Sequence, residues 1–134
     1  MSSRAIKDMH SDLQVKYLAW AGLMGQDGIP FMLTCTYRSQ DEQDELWRKG
    51  RDTEDNIIDK SKVVTWTKVS KHTSRRAFDF AVVKDGKPTW DLKVNVNKND
   101  QPDYIEAGKL AEKVGLRAGY RFGDYCHIEL KGDE

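Results

Sequence analysis

The seven residues Ala77-Phe-Asp-Phe-Ala-Val-Val83 constrain this chain more than any other segment. Aromatic and β-branched types dominate them, which predicts a strand. Alternation along that strand puts Phe78, Phe80 and Val82 on one face and Ala77, Asp79 and Ala81 on the other. A charge in the middle of an apolar strand is costly unless it is paired, because burying an isolated carboxylate costs more than most single interactions return. Asp79 therefore requires a positive partner. A salt bridge to Arg75 or Arg76 satisfies the requirement, and so does a metal ion.

Two of the three histidines lie where they could complete a metal site, His72 seven residues before Asp79 and His127 near the end of the sequence. Two neutral imidazoles and one carboxylate make a three-ligand set for Zn²⁺, with a fourth position left for water. His72 taken alone, beside Lys71, Arg75 and Arg76, reads more readily as a surface or hydrogen-bonded side chain than as a ligand. In a terminal strand from Cys126 to Leu130, His127 faces away from Cys126, Ile128 and Leu130, so Cys126 is a poor ligand and reads as a small core residue. Asp124 lies three residues before His127, an odd spacing that brings both to one site only if the backbone turns or bulges at Tyr125. Given that turn, Asp124 can act as general base toward the attacking water. Otherwise it is a turn residue after Gly123.

The other elements follow from periodicity and punctuation. Ile6, Met9, Leu13, Tyr17, Trp20 and Met24 form one helical stripe that ends near the turn from Gly25 to Gly28. Residues Phe31 to Tyr37 predict a strand that delivers Arg38, and a helix capped by Ser39, with Glu42 three residues on, runs to Gly50. Residues 51 to about 69 are polar and weakly patterned, too long for a simple connection, and read as a loop on the substrate side. Asp85-Gly86 predicts a hairpin returning through Lys87 to Leu92, and Pro102 opens a helix from Asp103 to Val114 that Gly115 stops. The sum is an α+β domain: a small, mainly antiparallel sheet packed by helices from either end of the sequence.

With 134 residues the chain fits a single domain, 1–134, with no room for a separate binding unit. Lysine plus arginine equal aspartate plus glutamate at 22 each, so no overall basic field points to nucleic acid. Local charges at Lys60, Lys62, Lys68, Lys71, Arg75 and Arg76, with Trp66 among them, are offset by Asp52, Glu54, Asp55 and Asp59 and read as a solvated face. Trp47, Trp66 and Trp90 read as packing residues. Cys35 and Cys126 lack CxxC spacing, so both are expected to be reduced. The start of the sequence lacks the apolar segment of a signal peptide, and no run approaches the length needed to span a bilayer. These features predict a monomer made in the cytosol, without membrane insertion, that needs another route to any target outside.

Three motifs in register, Arg38-Ser-x-x-x-Gln43, Ser70-x-His72-x6-Asp79 and Asp124-x-x-His127-x-Glu-Leu130, resemble those of the zinc peptidases of bacterial cell walls. That family, with its hedgehog-like D-Ala-D-Ala-peptidase fold, unites D-alanyl-D-alanine carboxypeptidases and dipeptidases with phage L-alanyl-D-glutamate endopeptidases. The resemblance spans about residues 30 to 130. It implies Zn²⁺ on His72, Asp79 and His127, Asp124 as catalytic base, Arg38 as the group that polarises the scissile carbonyl or stabilises its oxyanion, and Ser70 and Gln43 as substrate-side or supporting groups. The substrate it implies is the peptidoglycan stem peptide. An aspartate at position 124, where the D,D-enzymes typically carry glutamate, resembles the phage branch, whose lysins gather in the host cytosol until a holin opens the membrane. Two departures stand out: Arg75 replaces a common glycine and is expected to bar a left-handed backbone, and Cys126 replaces a common proline. A D-alanyl-D-alanine carboxypeptidase and a non-catalytic, zinc-containing wall-binding module remain the competing readings.

Overall fold

The computed structural model describes residues 3–64 and 71–132. Ser70, Trp66 and Lys68 lie outside the described residues. Three α-helices and five strands alternate in an α+β arrangement: α1 (Ser11–Gln26), β1 (Phe31–Cys35), α2 (Gln40–Arg48), β2 (Ala77–Lys84), β3 (Lys87–Thr89), α3 (Asp103–Lys113), β4 (Arg117–Ala118) and β5 (His127–Glu129). All strand pairs are antiparallel, in the order β1-β2-β5-β4, with β3 on the C-terminal half of β2.

The two faces of β2 divide as alternation requires. Phe78, Phe80 and Val82 are fully buried beneath α1 and α3. Tyr17 meets Phe78 edge-on at 5.2 Å, Trp20 lies 5.1 Å from both Phe78 and Phe80, and Tyr104 lies 5.4 Å from Phe80. Each such ring contributes about 1.5–3 kcal/mol by leaving water. Two polar bonds fix the layers: Trp20 Nε1 donates to the Ala107 carbonyl at 3.0 Å, and the Tyr104 hydroxyl accepts from Val82 N at 3.0 Å while donating to the Thr89 carbonyl at 2.6 Å. The core thus clamps β2 on one face and leaves the Asp79 face for other use.

Several elements differ from the sequence expectation. The apolar stripe runs past the helix: Ile6–Asp8 form a 3₁₀ turn, and α1 begins only after His10, whose Nδ1 accepts from Asp12 N. The reason is tertiary, since His10 N donates to the Arg75 carbonyl and Ser3 bridges Tyr37. The hairpin return stops at Thr89, and the last strand starts at His127 because Tyr125 and Cys126 form a turn. Residues 51–64 are ordered by an Arg51–Ile57 bridge and a 3₁₀ turn at Lys60–Lys62, and the Arg51 guanidinium stacks 3.6 Å from the Trp47 ring. Trp47 does pack, but Trp90 is 58% exposed and so is no core residue. Arg75 adopts the left-handed backbone it was expected to bar, with φ 65°. That conformation costs an L-residue about 1 kcal/mol, and contacts offset it: the guanidinium stacks 4.0 Å from Tyr37 and donates to the Asp8 carbonyl at 3.1 Å.

Candidate metal centre

Asp79 sits at the middle of the sheet, directly opposite His127 on β5 and Cys35 on β1. His72 arrives from the turn before β2, which is closed by Arg76 N donating to the Lys71 carbonyl. The three side chains converge on one point. His72 Nε2 lies 3.2 Å and His127 Nδ1 3.1 Å from the same oxygen, Asp79 Oδ1, and one ligand atom from each residue falls within 4.8 Å of the others. The two imidazoles stand nearly perpendicular, 82° apart, with ring centres 5.1 Å apart.

This donor set fits a divalent ion of zinc type. Bonds of about 2.0–2.2 Å to nitrogen and oxygen place tetrahedral donors a little over 3 Å apart, the spacing of each imidazole nitrogen from Asp79 Oδ1. Electrostatics point the same way. Burial raises the Asp79 carboxyl, but hydrogen bonds from His127 and His72 outweigh it and hold the group well below the usual carboxylate range. Burial disfavours the His127 cation, yet Asp79 and then Glu129 outweigh that and raise its pKa. Positive charge is thus strongly favoured between these groups, and a dication meets that demand once the imidazoles release their protons.

Glu129 completes the arrangement, and the sequence reading gave it no role. It shares a face with His127 at a spacing of two, and its Oε1 lies 2.8 Å from His127 Nε2. That contact turns Nδ1 toward Asp79, the usual way a carboxylate orients a ligating imidazole. Burial raises the Glu129 carboxyl, but the His127 hydrogen bond and then Lys71 Nζ, 3.1 Å from Oε2, outweigh it and hold the group below its ordinary range.

The turn demanded at Tyr125 is present. His127 N donates to the Asp124 carbonyl at 3.1 Å, and Asp124 N donates to the Gly119 carbonyl at 2.9 Å. The Asp124 carboxylate comes within 4.0 Å of His127 Nδ1 while its side chain stays 54% exposed. Cys126 is a half-buried residue packed at the edge of the core, and its thiol donates to Asp124 Oδ1 at 3.6 Å. Burial, then the charges of Asp79 and Asp124, push that thiol up to about 12, so it stays protonated and offers no thiolate to a metal. Both cysteines are free. Arg38 is bound twice into the site: its backbone N–H donates to the His72 carbonyl at 3.2 Å, and its guanidinium donates to Gln43 Oε1, fully buried on α2, at 2.9 Å.

Trp90, Leu92, Tyr104, Gly123, Tyr125 and Cys126, the last next to His127 in sequence, line a cleft with largely apolar walls. Trp90 and Leu92 were not read as site residues, because sequence does not show what covers an aromatic side chain.

The pattern of one peptidase family, VanY: D-alanyl-D-alanine carboxypeptidase, matches residues 6–131, a span of nearly the full length within which the centre lies. The chain belongs to the VanY family. Among VanY-like proteins, it is 33% identical over 129 residues to the peptidoglycan L-alanyl-D-glutamate endopeptidase CwlK of Bacillus subtilis, covering 92% of this chain and 74% of that protein. Its fold matches the crystal structure of the Serratia marcescens L-Ala D-Glu endopeptidase ChiX with a TM-score of 0.67 at 16% identity, over 98% of this chain and 89% of that one. The α+β fold expected from the sequence is therefore that of the VanY-like endopeptidases.

Proposed function

We propose that this chain is a zinc-dependent peptidoglycan peptidase that cleaves the L-alanyl-D-glutamate bond of stem peptides. The observation that carries the reading is the convergence of His72, Asp79 and His127 on one point with the Asp124 carboxylate 4.0 Å from a ligating nitrogen. Likeness to CwlK and the aspartate at position 124 support the choice of bond. Zinc bound at this centre supplies a Lewis acid and makes water a nucleophile at neutral pH.

The chain's own groups do the rest. Asp124, solvent-facing and held by the Gly119 contact, takes at its carboxylate the proton that the attacking water sheds and returns it to the leaving amine. Arg38, steadied by Gln43, places its guanidinium where negative charge grows on the carbonyl oxygen. Glu129 fixes the tautomer of His127. The cleft beside Trp90 holds the apolar and backbone parts of the stem peptide. Ser70 is assigned to the substrate side by its motif alone. The aspartate at position 124, as in the phage branch, supports action as a phage lysin that reaches the wall after membrane permeabilisation.

Digestion of purified sacculi, followed by mass spectrometry, tests the reading. Chelator-sensitive release of fragments with a free D-glutamate amine is the expected result. Release of free D-alanine would instead identify the D-alanyl-D-alanine carboxypeptidase activity that the family's name describes. Sacculi left intact by zinc-loaded protein would favour a wall-binding module.

A further inference from the structure

Away from the metal centre, the least satisfied buried group is Asp103 in the first turn of α3. Its side chain is fully buried; Oδ2 accepts from Val96 N at 2.7 Å, and Oδ1 has no hydrogen-bond partner among the described residues. A buried carboxylate oxygen without a partner is costly. Glu106, one turn on, is only 7% exposed, and neither acid has a lysine or arginine partner among the described residues. Instead the side-chain amides of Asn97, at 3.2 Å, and Asn99 turn their N–H groups onto Glu106 Oε1. Two buried carboxylates thus meet one loop, Asp103 through the Val96 N–H and Glu106 through Asn97 and Asn99, while Asn95 bonds to the Asn99 backbone.

The order of these residues is informative. Oxygen-bearing side chains stand at 95, 97, 99, 103 and 106, and the Gln101 carbonyl lies between them. Those are positions 1, 3, 5, 9, 12 and 7 of a twelve-residue EF-hand loop. One position departs: Asp100 replaces the glycine of position 6, and the left-handed residue is Lys98, with φ 57°, two places earlier. The site therefore shares the ligand spacing of an EF-hand with a different turn. Every donor is a hard oxygen, on an irregular loop or the first turn of α3, which suits calcium's six to eight ligands better than the strict octahedron of magnesium.

We propose that residues 95–106 form a calcium site, with Asp103 and Glu106 supplying the charge and Asn95, Asn97, Asn99 and the Gln101 carbonyl completing the shell. The asparagine amides rotate to present oxygen, and the orphaned Asp103 oxygen gains its partner. Calcium then ties the loop to the start of α3, where Tyr104 grips β2 three residues from Asp79. With only two charged ligands the affinity falls at the weak end of the range, at about 10⁻⁴–10⁻³ M.

The zinc-saturated full chain is titrated with calcium chloride at constant ionic strength, with magnesium as control, and Tm and binding heat are recorded. At a Kd of about 1 mM, 10 mM calcium shifts the unfolding equilibrium roughly tenfold, a rise of about 5 °C for a chain of this length. Glu106→Gln and Asp103→Asn should each abolish the rise. Burial already raises the Asp103 carboxyl, so its neutral replacement is the milder variant. Terbium luminescence sensitised by Tyr104 and quenched by added calcium gives a second readout on the unaltered protein. An unchanged Tm with no terbium signal overturns the proposal, as does a calcium response that survives in both variants.

Discussion

Replacing Gly119 by alanine should injure this protein at two levels at once. A Cβ built there would stand 1.9 Å from the Asp124 carbonyl oxygen, 2.7 Å from that of His127 and 3.0 Å from the Asp124 carbonyl carbon. All three atoms are backbone, so no side chain can swing aside. The turn must retreat by about 1.5 Å to reach ordinary contact, and it carries both the proposed base and a proposed metal ligand. Overpacking of this kind costs about 2–3 kcal/mol, which lowers Tm by about 8–12 °C at this chain length. A misplacement of about 1 Å in a catalytic group can cost 10²-fold in rate, so kcat on muropeptides should fall about a hundredfold while KM changes little. Gly22→Ala is the control: nothing lies within 4 Å of its added carbon, and an exposed helical alanine should raise stability by about 0.5–1 kcal/mol. A Gly119→Ala protein with unaltered Tm and kcat would show that residue 119 does not seat the turn from Asp124 to His127.

Other expectations are as direct. Glu129→Gln should weaken zinc binding 10–100-fold in competition with a chelator, and unchanged affinity would remove Glu129 from the centre. Tyr104→Phe strands the buried Val82 N–H and should cost about 1–3 kcal/mol in urea denaturation; a neutral result would mean the hydroxyl is dispensable. Hydrogen bonds from Arg121 hold Glu112 below its ordinary 4.5, against the opposing effect of burial. A depressed carboxylate contributes stability above the unfolded pKa and loses it as pH falls through the folded one. The advantage of the natural chain over Glu112→Gln should therefore be present at pH 6 and vanish below the usual carboxylate range.

Much of this was legible because the strongest signals were local. Alternation alone sorted Phe78 and Phe80 from Asp79, and the cost of a buried charge predicted that Asp79 would meet cations or a metal. Pro102 and Gly115 bracketed α3 closely. The misses share a cause, which is that the deciding partner lies far along the chain. Apolar spacing continued through Ile6 and Met9, but the bond from His10 to Arg75 ends the helix. Arg75 tolerates a left-handed turn because Tyr37 and Asp8 hold its side chain. A two-residue strand such as β4 has no periodicity to detect. Glu129 could have been found, since a spacing of two on a strand already sets it beside His127.

The position of β5 in the sheet has a consequence for assembly of the site. The strand that supplies His127 lies between β2 and β4, in the interior of the sheet, although it follows every other described strand in the sequence. Until it docks, Asp79 lacks its cross-strand neighbour and β2 has an open edge. The cluster of His72, Asp79 and His127 therefore assembles in a single docking event rather than by degrees.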